Sequence, residues 1–267
     1  MSILKKTMIV GNWKMNLSIS QASFLVSKLQ KKVSGHRDIE VVLAPHALAL
    51  QPISLQIDRR RFRLAAQDAY FKDEGAFTGE ISFTMLKDIV HYAIIGHSER
   101  RVYFNESLET VRDKVSAAVR NQITPILCVG ETSQEWQDGE SKQVLHDQIV
   151  SALSNLTAAE VAGMVIVYEP QWTITTFHGR PAKPDEVKSA VDFIRNQVKE
   201  LYDETAADHV RVLFGGSVDE HSISSYLSVD GCEGVLVGSA SLNYERFSAI
   251  IDAAYRKNRE KDAKKTG

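Results

Sequence analysis

Short runs rich in Val, Ile and Leu alternate along this chain with stretches of helical periodicity, and no Pro/Gly/Ser-rich linker divides its 267 residues. These observations predict an α/β fold in a single domain, a closed (β/α)8 barrel of right-handed strand–helix units. The barrel is expected over residues 1–255, followed by a charged, frayed tail at 256–267.

The apolar runs are, in order, Met8–Gly11, Val41–Ala44, Phe62–Ala66, Tyr92–Gly96, Pro125–Val129, Val165–Tyr168, Val210–Phe214 and Val235–Gly238. Continuous apolar runs of this length suit strands buried on both faces, as in a parallel sheet, and their number is that of a closed barrel. Between them, Ser20 to Val33 places Phe24, Leu25, Leu29 and Val33 near one helical face, and Leu108 to Val119 does so with Leu108, Val111, Val115 and Val119. Pro184 to Leu201 opens with a proline and acids, as a first helical turn should, and then carries Val187, Val191, Ile194 and Val198. From Arg256 the chain is mostly charged, with too little apolar content to pack. An open doubly wound sheet would also alternate strand and helix. Its support would be a glycine fingerprint after the first strand, and Gly11-Asn12-Trp13-Lys14-Met15-Asn16 is not one.

The chain has 32 Lys+Arg against 34 Asp+Glu, so charge gives no reason to expect nucleic acid or a membrane as partner, and a small molecule is the expected ligand. Cys128 and Cys232, the only cysteines, lack metal-type spacing, which argues against a disulfide framework or a structural zinc. No window approaches the roughly 18 apolar residues of a membrane span, and the first residues lack a cleavable leader pattern. The expected compartment is the cytoplasm.

Two apolar runs end in ionisable residues: Ile94-Ile95-Gly96-His97-Ser98-Glu99-Arg100 and Val165-Ile166-Val167-Tyr168-Glu169-Pro170. A buried strand that ends this way holds the group rigidly at the rim of a barrel, where a substrate reaches it. Removing a proton beside a carbonyl needs a base on carbon and donors or a cation at oxygen, and Glu169, His97 and Lys14 are the right types. Pro170 stiffens the base by fixing its own φ and restricting Glu169. Gly215-Gly216-Ser217 and Gly238-Ser239 each follow a strand, where small residues let backbone N–H groups approach an anion. Singly, each of these would pass for a surface charge, a satisfied polar group or a turn.

Seven motifs in register say more: Gly11-Asn12-Trp13-Lys14-Met15-Asn16, Gly75-Ala76-Phe77-Thr78-Gly79-Glu80, Ile95-Gly96-His97-Ser98-Glu99-Arg100-Arg101, Cys128-Val129-Gly130-Glu131-Thr132, Tyr168-Glu169-Pro170-Gln171-Trp172, Gly215-Gly216-Ser217 and Leu236-Val237-Gly238-Ser239-Ala240-Ser241-Leu242. From Gly11 to Leu242 the chain thereby resembles the triosephosphate isomerases. The resemblance implies a TIM barrel that interconverts dihydroxyacetone phosphate and D-glyceraldehyde 3-phosphate through an enediolate, without cofactor or metal. It further implies a cytoplasmic homodimer in glycolysis and gluconeogenesis. In this reading Glu169 moves the proton, His97 polarises the carbonyl as a neutral imidazole, Lys14 supplies positive charge and Asn12 positions it. Gly215, Gly216, Ser217, Gly238 and Ser239 hold the phosphate. Ser98 and Glu99 support the site, Glu99 through Lys14 or a neighbouring strand end. Thr78 tips a loop that enters the neighbouring subunit.

The lid after Glu169 departs from the family. Where the family reads close to Pro-x-Trp-Ala-Ile-Gly-Thr-Gly-Lys, this chain has Pro170, Gln171, Trp172, Thr173, Ile174, Thr175, Thr176, Phe177, His178, Gly179 and Arg180, and the loop is two residues longer between its flanking prolines. Phe214 replaces the family's tyrosine, whose hydroxyl latches the closed lid, and Ser239 replaces a glycine. The expectation is a closed state that is less populated or latched differently, and His178 and Arg180 are either cations near the phosphate or exposed loop residues. Two other functions fit the same pattern: isomerisation of a longer ketose such as erythrulose phosphate, and non-catalytic binding of a phosphate ligand or a partner. Retention of Asn12, Lys14, His97 and Glu169 speaks against the latter.

Overall fold

A computed structural model describes residues 5–33, 38–177 and 179–266. All eight apolar runs are strands: β1 Thr7–Asn12, β2 Ile39–Ala44, β3 Phe62–Ala66, β4 Tyr92–Ile95, β5 Thr124–Val129, β6 Val165–Tyr168, β7 Arg211–Gly216 and β8 Gly234–Val237. Each pairs in parallel with the next, and β8 returns to β1 with Met8 opposite Gly234 and Gly11 opposite Val237, closing the barrel. Side chains alternate along each strand. Val10, Val42, Ile94, Ile126, Val167 and Leu236 belong to the cluster that fills the barrel. Their neighbours Ile9, Leu43, Ile95, Leu127, Ile166 and Val235 join the larger core shared with the helices. Burial on both sides is why the strands read as unbroken apolar runs.

Helix Ile19–Lys32 starts in a capping box between Ser18 and Gln21. It buries Ala22, Leu25, Val26 and Leu29, while Phe24, expected on that face, is 61 % exposed. At about 100° per residue the buried stripe of Ala22, Leu25, Val26 and Leu29 is centred between Leu25 and Val26, and Phe24 falls on nearly the opposite side of the helix. In Leu108–Arg120, Val111 and Val115 are buried whereas Leu108 and Val119 lie half-buried at the edge of the stripe. Pro184–Leu201 buries Val187, Val191, Ile194 and Val198 as its periodicity requires.

The last helix runs Tyr244–Thr266, so the backbone is helical where a frayed tail from Arg256 was expected. Ala, Lys, Glu and Arg are good helix formers, and no proline or glycine interrupts them before Gly267. Composition argued against packing, but a helical extension needs little packing when it continues an anchored helix.

Closure of the barrel leaves no room at Gly234, where a Cβ would fall 2.0 Å from the Met8 carbonyl oxygen. Gly234→Ala should therefore lower stability by about 3 kcal/mol in urea unfolding, because β8 must shift away from β1. An unchanged midpoint would contradict the packing at this seam.

Candidate active site

The catalytic candidates arrive from three different strands at the C-terminal rim: Lys14 just beyond β1, His97 beyond β4 and Glu169 directly after β6. Lys14 has φ +52°, a left-handed conformation that costs a non-glycine residue about 1–2 kcal/mol. Three contacts hold it there. Its N–H donates to Asn12 Oδ1 at 3.1 Å, its carbonyl accepts from Gln67 Nε2 at 2.9 Å, and its Nζ lies 2.6 Å from Glu99 Oε1. Asn12 thus positions Lys14 through the main chain, and Glu99 takes the first of its two expected anchors.

His97 caps the helix Ser98–Tyr103, and its Nδ1 accepts the Glu99 N–H at 3.2 Å. A ring nitrogen that accepts carries no proton, so the network assigns a neutral imidazole with hydrogen on Nε2. That nitrogen lies 2.8 Å from Glu169 Oε1, while Glu169 Oε2 accepts the Ser98 N–H at 3.1 Å. Burial alone would raise the Glu169 pKa, but His97, the Ser98 N–H and the charge of Lys14 outweigh it and hold the carboxyl below its ordinary value. The result is a buried, ionised carboxylate. Beside it, burial and the charge of Glu169 push the Cys128 thiol well up, so Cys128 stays neutral.

A cavity of about 510 Å³ opens next to these groups, lined on the barrel side by Asn12, Lys14, Gly216, Ser217, Gly238 and Ser239 and on the lid side by Ile174, Thr176 and Pro181. Gly215, next to Gly216 in the sequence, does not line this cavity. A Cβ there would press on Val167 and Glu169 at 2.9–3.3 Å, so this glycine gives the Glu169 side chain its space. The Ser217 N–H and hydroxyl both donate to the Thr173 carbonyl, at 3.1 and 2.7 Å, so this N–H is engaged by the lid.

The lid starts at Pro170, whose carbonyl accepts from the Thr173 N–H and hydroxyl, and Gln171 N–H donates to the Glu131 carbonyl. It continues into a short 3-10 turn, Thr175–Phe177. Thr176 Oγ1 donates to Glu99 at 3.1 Å, and Phe177 stacks on Tyr103 at 5.9 Å. Arg180, read as a cation near the phosphate or as an exposed loop residue, forks its guanidinium onto Glu186 and lies over Trp136 and Trp172, and it does not line the cavity. Gly179 lies against the Trp172 carbonyl, and His178 falls outside the described residues. Phe214 is buried against Tyr226 at 4.4 Å, and the Tyr226 hydroxyl donates to the Ala182 carbonyl just past the lid.

Three residues without an assigned role complete the rim. Gln67 bridges the carbonyls of Lys14 and Ala44. Arg101 donates to the carbonyls of Gly96 and Cys128. Glu131 accepts from Tyr168, Trp172 and Ser141. Gln67 and Glu131 are polar residues immediately past apolar runs, the same signal that picked out Glu169. Thr78 lies on an exposed loop that is pinched at its base by Tyr70 N–H to Ile81 O at 2.8 Å.

Behind the His97 helix, Asp68, Glu106, Arg100 and Lys114 form a buried cluster, with Lys114 Nζ 2.7 Å from Asp68 and 2.5 Å from Glu106. The two acids part company. The cations hold Glu106 low against its burial, whereas burial and the neighbouring Glu106 push Asp68 up to about 6. An acid whose folded pKa exceeds its ordinary 3.8 binds protons more tightly when folded, so its contribution falls as pH rises through the window from 3.8 to about 6. Urea unfolding of wild type and Asp68→Asn at pH 4.5, 5.5 and 7 (values chosen across that window) should show the stability gap moving in favour of the variant by at most about 1.4 kcal/mol per pH unit. A gap that is flat or moves the other way contradicts this assignment.

A family model described as triosephosphate isomerase matches residues 7–254. The triosephosphate isomerase of Citrifermentans bemidjiense is 40 % identical over 249 residues, covering 93 % of this chain and 98 % of the relative. Those of Dehalococcoides mccartyi and Clostridium tetani are 39 % and 40 % identical over 251 and 250 residues, covering 94 % and 93 % of this chain and 97 % of each relative.

Proposed function

Because the chain belongs to the triosephosphate isomerase family, we propose that its rim site interconverts dihydroxyacetone phosphate and D-glyceraldehyde 3-phosphate by proton transfer through an enediolate. It is an aldose–ketose isomerase. One observation carries the assignment of residues: Lys14, Glu99, His97 and Glu169 form one chain of contacts beside a cavity whose far wall is Gly216-Ser217 and Gly238-Ser239.

The chemistry follows from the hydrogen bonds. Glu169, ionised and shielded from water, takes a proton from C1 of the ketose. His97 Nε2–H, which donates to Glu169 in this structure, donates instead to the carbonyl oxygen once substrate displaces the carboxylate. Lys14 balances the negative charge that develops on oxygen, and its strained backbone keeps the ammonium at the rim. His97 passes its Nε2 proton to the C2 oxygen and takes one back from the C1 hydroxyl, and return of the proton from Glu169 to C2 then gives the aldose. The phosphate is held by main-chain N–H groups around Gly216, Gly238 and Ser239, with the lid above it.

In a coupled assay on D-glyceraldehyde 3-phosphate, Glu169→Gln should lose about 10³-fold in kcat, because an amide accepts no proton from carbon, and His97→Gln about 10²-fold. Near-wild-type turnover by Glu169→Gln would overturn the role of this residue.

We further propose one catalytic domain over residues 1–255 and a cytoplasmic homodimer, in which the Thr78 loop enters the partner beside its Lys14. Support comes from exposed apolar side chains around that region: Met15, next to Lys14, is 95 % exposed, and Leu48 and Met85 are exposed too. Met15→Arg should give a monomer in sedimentation and lower kcat through a loosened Lys14. A dimer of undiminished activity contradicts this.

A further inference from the structure

We propose that Arg180 is a positioning residue that fastens the two roots of the lid together, so that closing over a phosphate orders the tip alone. This rests on the isomerase reading of the site.

The two roots meet as closely as backbone permits. Arg180 N–H donates to the Trp172 carbonyl at 2.9 Å, and a Cβ on Gly179 would fall 2.3 Å from that same carbonyl oxygen. Arg180 then covers the junction. Its guanidinium carbon lies 4.5 Å from the Trp172 ring centre and 5.1 Å from that of Trp136, and the two indoles themselves touch at 5.0 Å. Its nitrogens fork onto Glu186, at 3.0 and 2.5 Å, in the first turn of helix Pro184–Leu201. A flat, delocalised cation can stack and fork at once, which an ammonium cannot.

The junction reaches the base by direct contact. Trp172 Nε1 donates to Glu131 Oε1 at 2.9 Å, and Gly130, next in the chain, lies so near the Glu169 carbonyl that a Cβ would sit 2.2 Å from its oxygen. An exposed ion pair alone stabilises little, but this one is shared by two rings and a backbone bond. Without it, residues at both roots lose freedom in every closure, and that entropy is charged against binding. The proton transfer itself does not involve Arg180, which lies away from the cavity.

The experiment compares wild type, Arg180→Gln, Arg180→Lys and Trp136→Leu. It measures kcat and KM on D-glyceraldehyde 3-phosphate, the dissociation constant of inorganic phosphate by tryptophan fluorescence, and turnover of unphosphorylated glyceraldehyde, which has no phosphate to draw the lid. Arg180→Gln should raise KM and the phosphate dissociation constant about tenfold while glyceraldehyde turnover and the pH profile of kcat stay put. Arg180→Lys should recover part of the loss. Trp136→Leu should weaken phosphate binding in the same direction and add little when combined with Arg180→Gln. Unchanged KM and phosphate binding in Arg180→Gln overturn the proposal, as does a loss shared equally by glyceraldehyde. A wild type inactive on the triose phosphate would sink the isomerase reading, while the phosphate measurement would still judge the clamp.

Discussion

Pairing of β8 with β1 is the constraint on which the site depends. It makes every strand end point to one rim, and it sets the β1–Lys14 turn beside Gly238, whose Cβ position is 3.8 Å from the Lys14 side chain. Lys14, His97 and Glu169, up to 155 positions apart in the chain, then join in one line of contacts through Glu99 without any of them sitting in a regular element interior. The barrel interior is packed with Val, Ile, Leu and Met, so the rim is where polar groups find both support and water.

Each buried carboxylate at that rim is held by different partners, and the partners decide its charge. Glu169 has the His97 ring, a backbone N–H and a nearby ammonium, which together overcome its burial. Glu131 is placed among hydroxyl and indole donors and serves as an acceptor for the lid root. Asp68 and Glu106 share two cations, and the one with less help carries the higher pKa. The same acid side chain thus acts as base, hinge anchor or helix brace according to its donors.

The apolar runs made the eight strands legible because a barrel strand is dry on both faces, and the helices were legible wherever caps and a 3.6-residue period agreed. Phe24 was misjudged because a run of apolar residues overfills one helical face, and the tail after Arg256 because propensity continued a helix that composition alone would stop. At the site, Glu169 and His97 stood out by strand-end placement, and Lys14 only by the motifs in register. Gln67 and Arg101 could not be given roles, since their partners are carbonyls of other strands, and backbone acceptors leave no trace in a sequence. Gly215 shows the opposite limit: the motif was seen, but only the packing tells that its missing side chain makes room for Glu169.

The departures at Phe214, Ser239 and the lid fall on one structural unit, and the structure meets them together. Losing a hydroxyl at Phe214 leaves its ring free to bury against Tyr226, and that tyrosine directs its own hydroxyl to Ala182 at the end of the lid. Ser217 binds the Thr173 carbonyl near the lid's start. Beyond Thr173 the loop reaches sideways, to Glu99 through Thr176 and to Tyr103 through Phe177. A lid tethered at its tip to the helix that carries His97 and at its roots to Glu131 and Glu186 has few ways to move. Its closure is therefore governed by which of these contacts must break, and the Thr176–Glu99 bond is the one that also touches Lys14's own anchor.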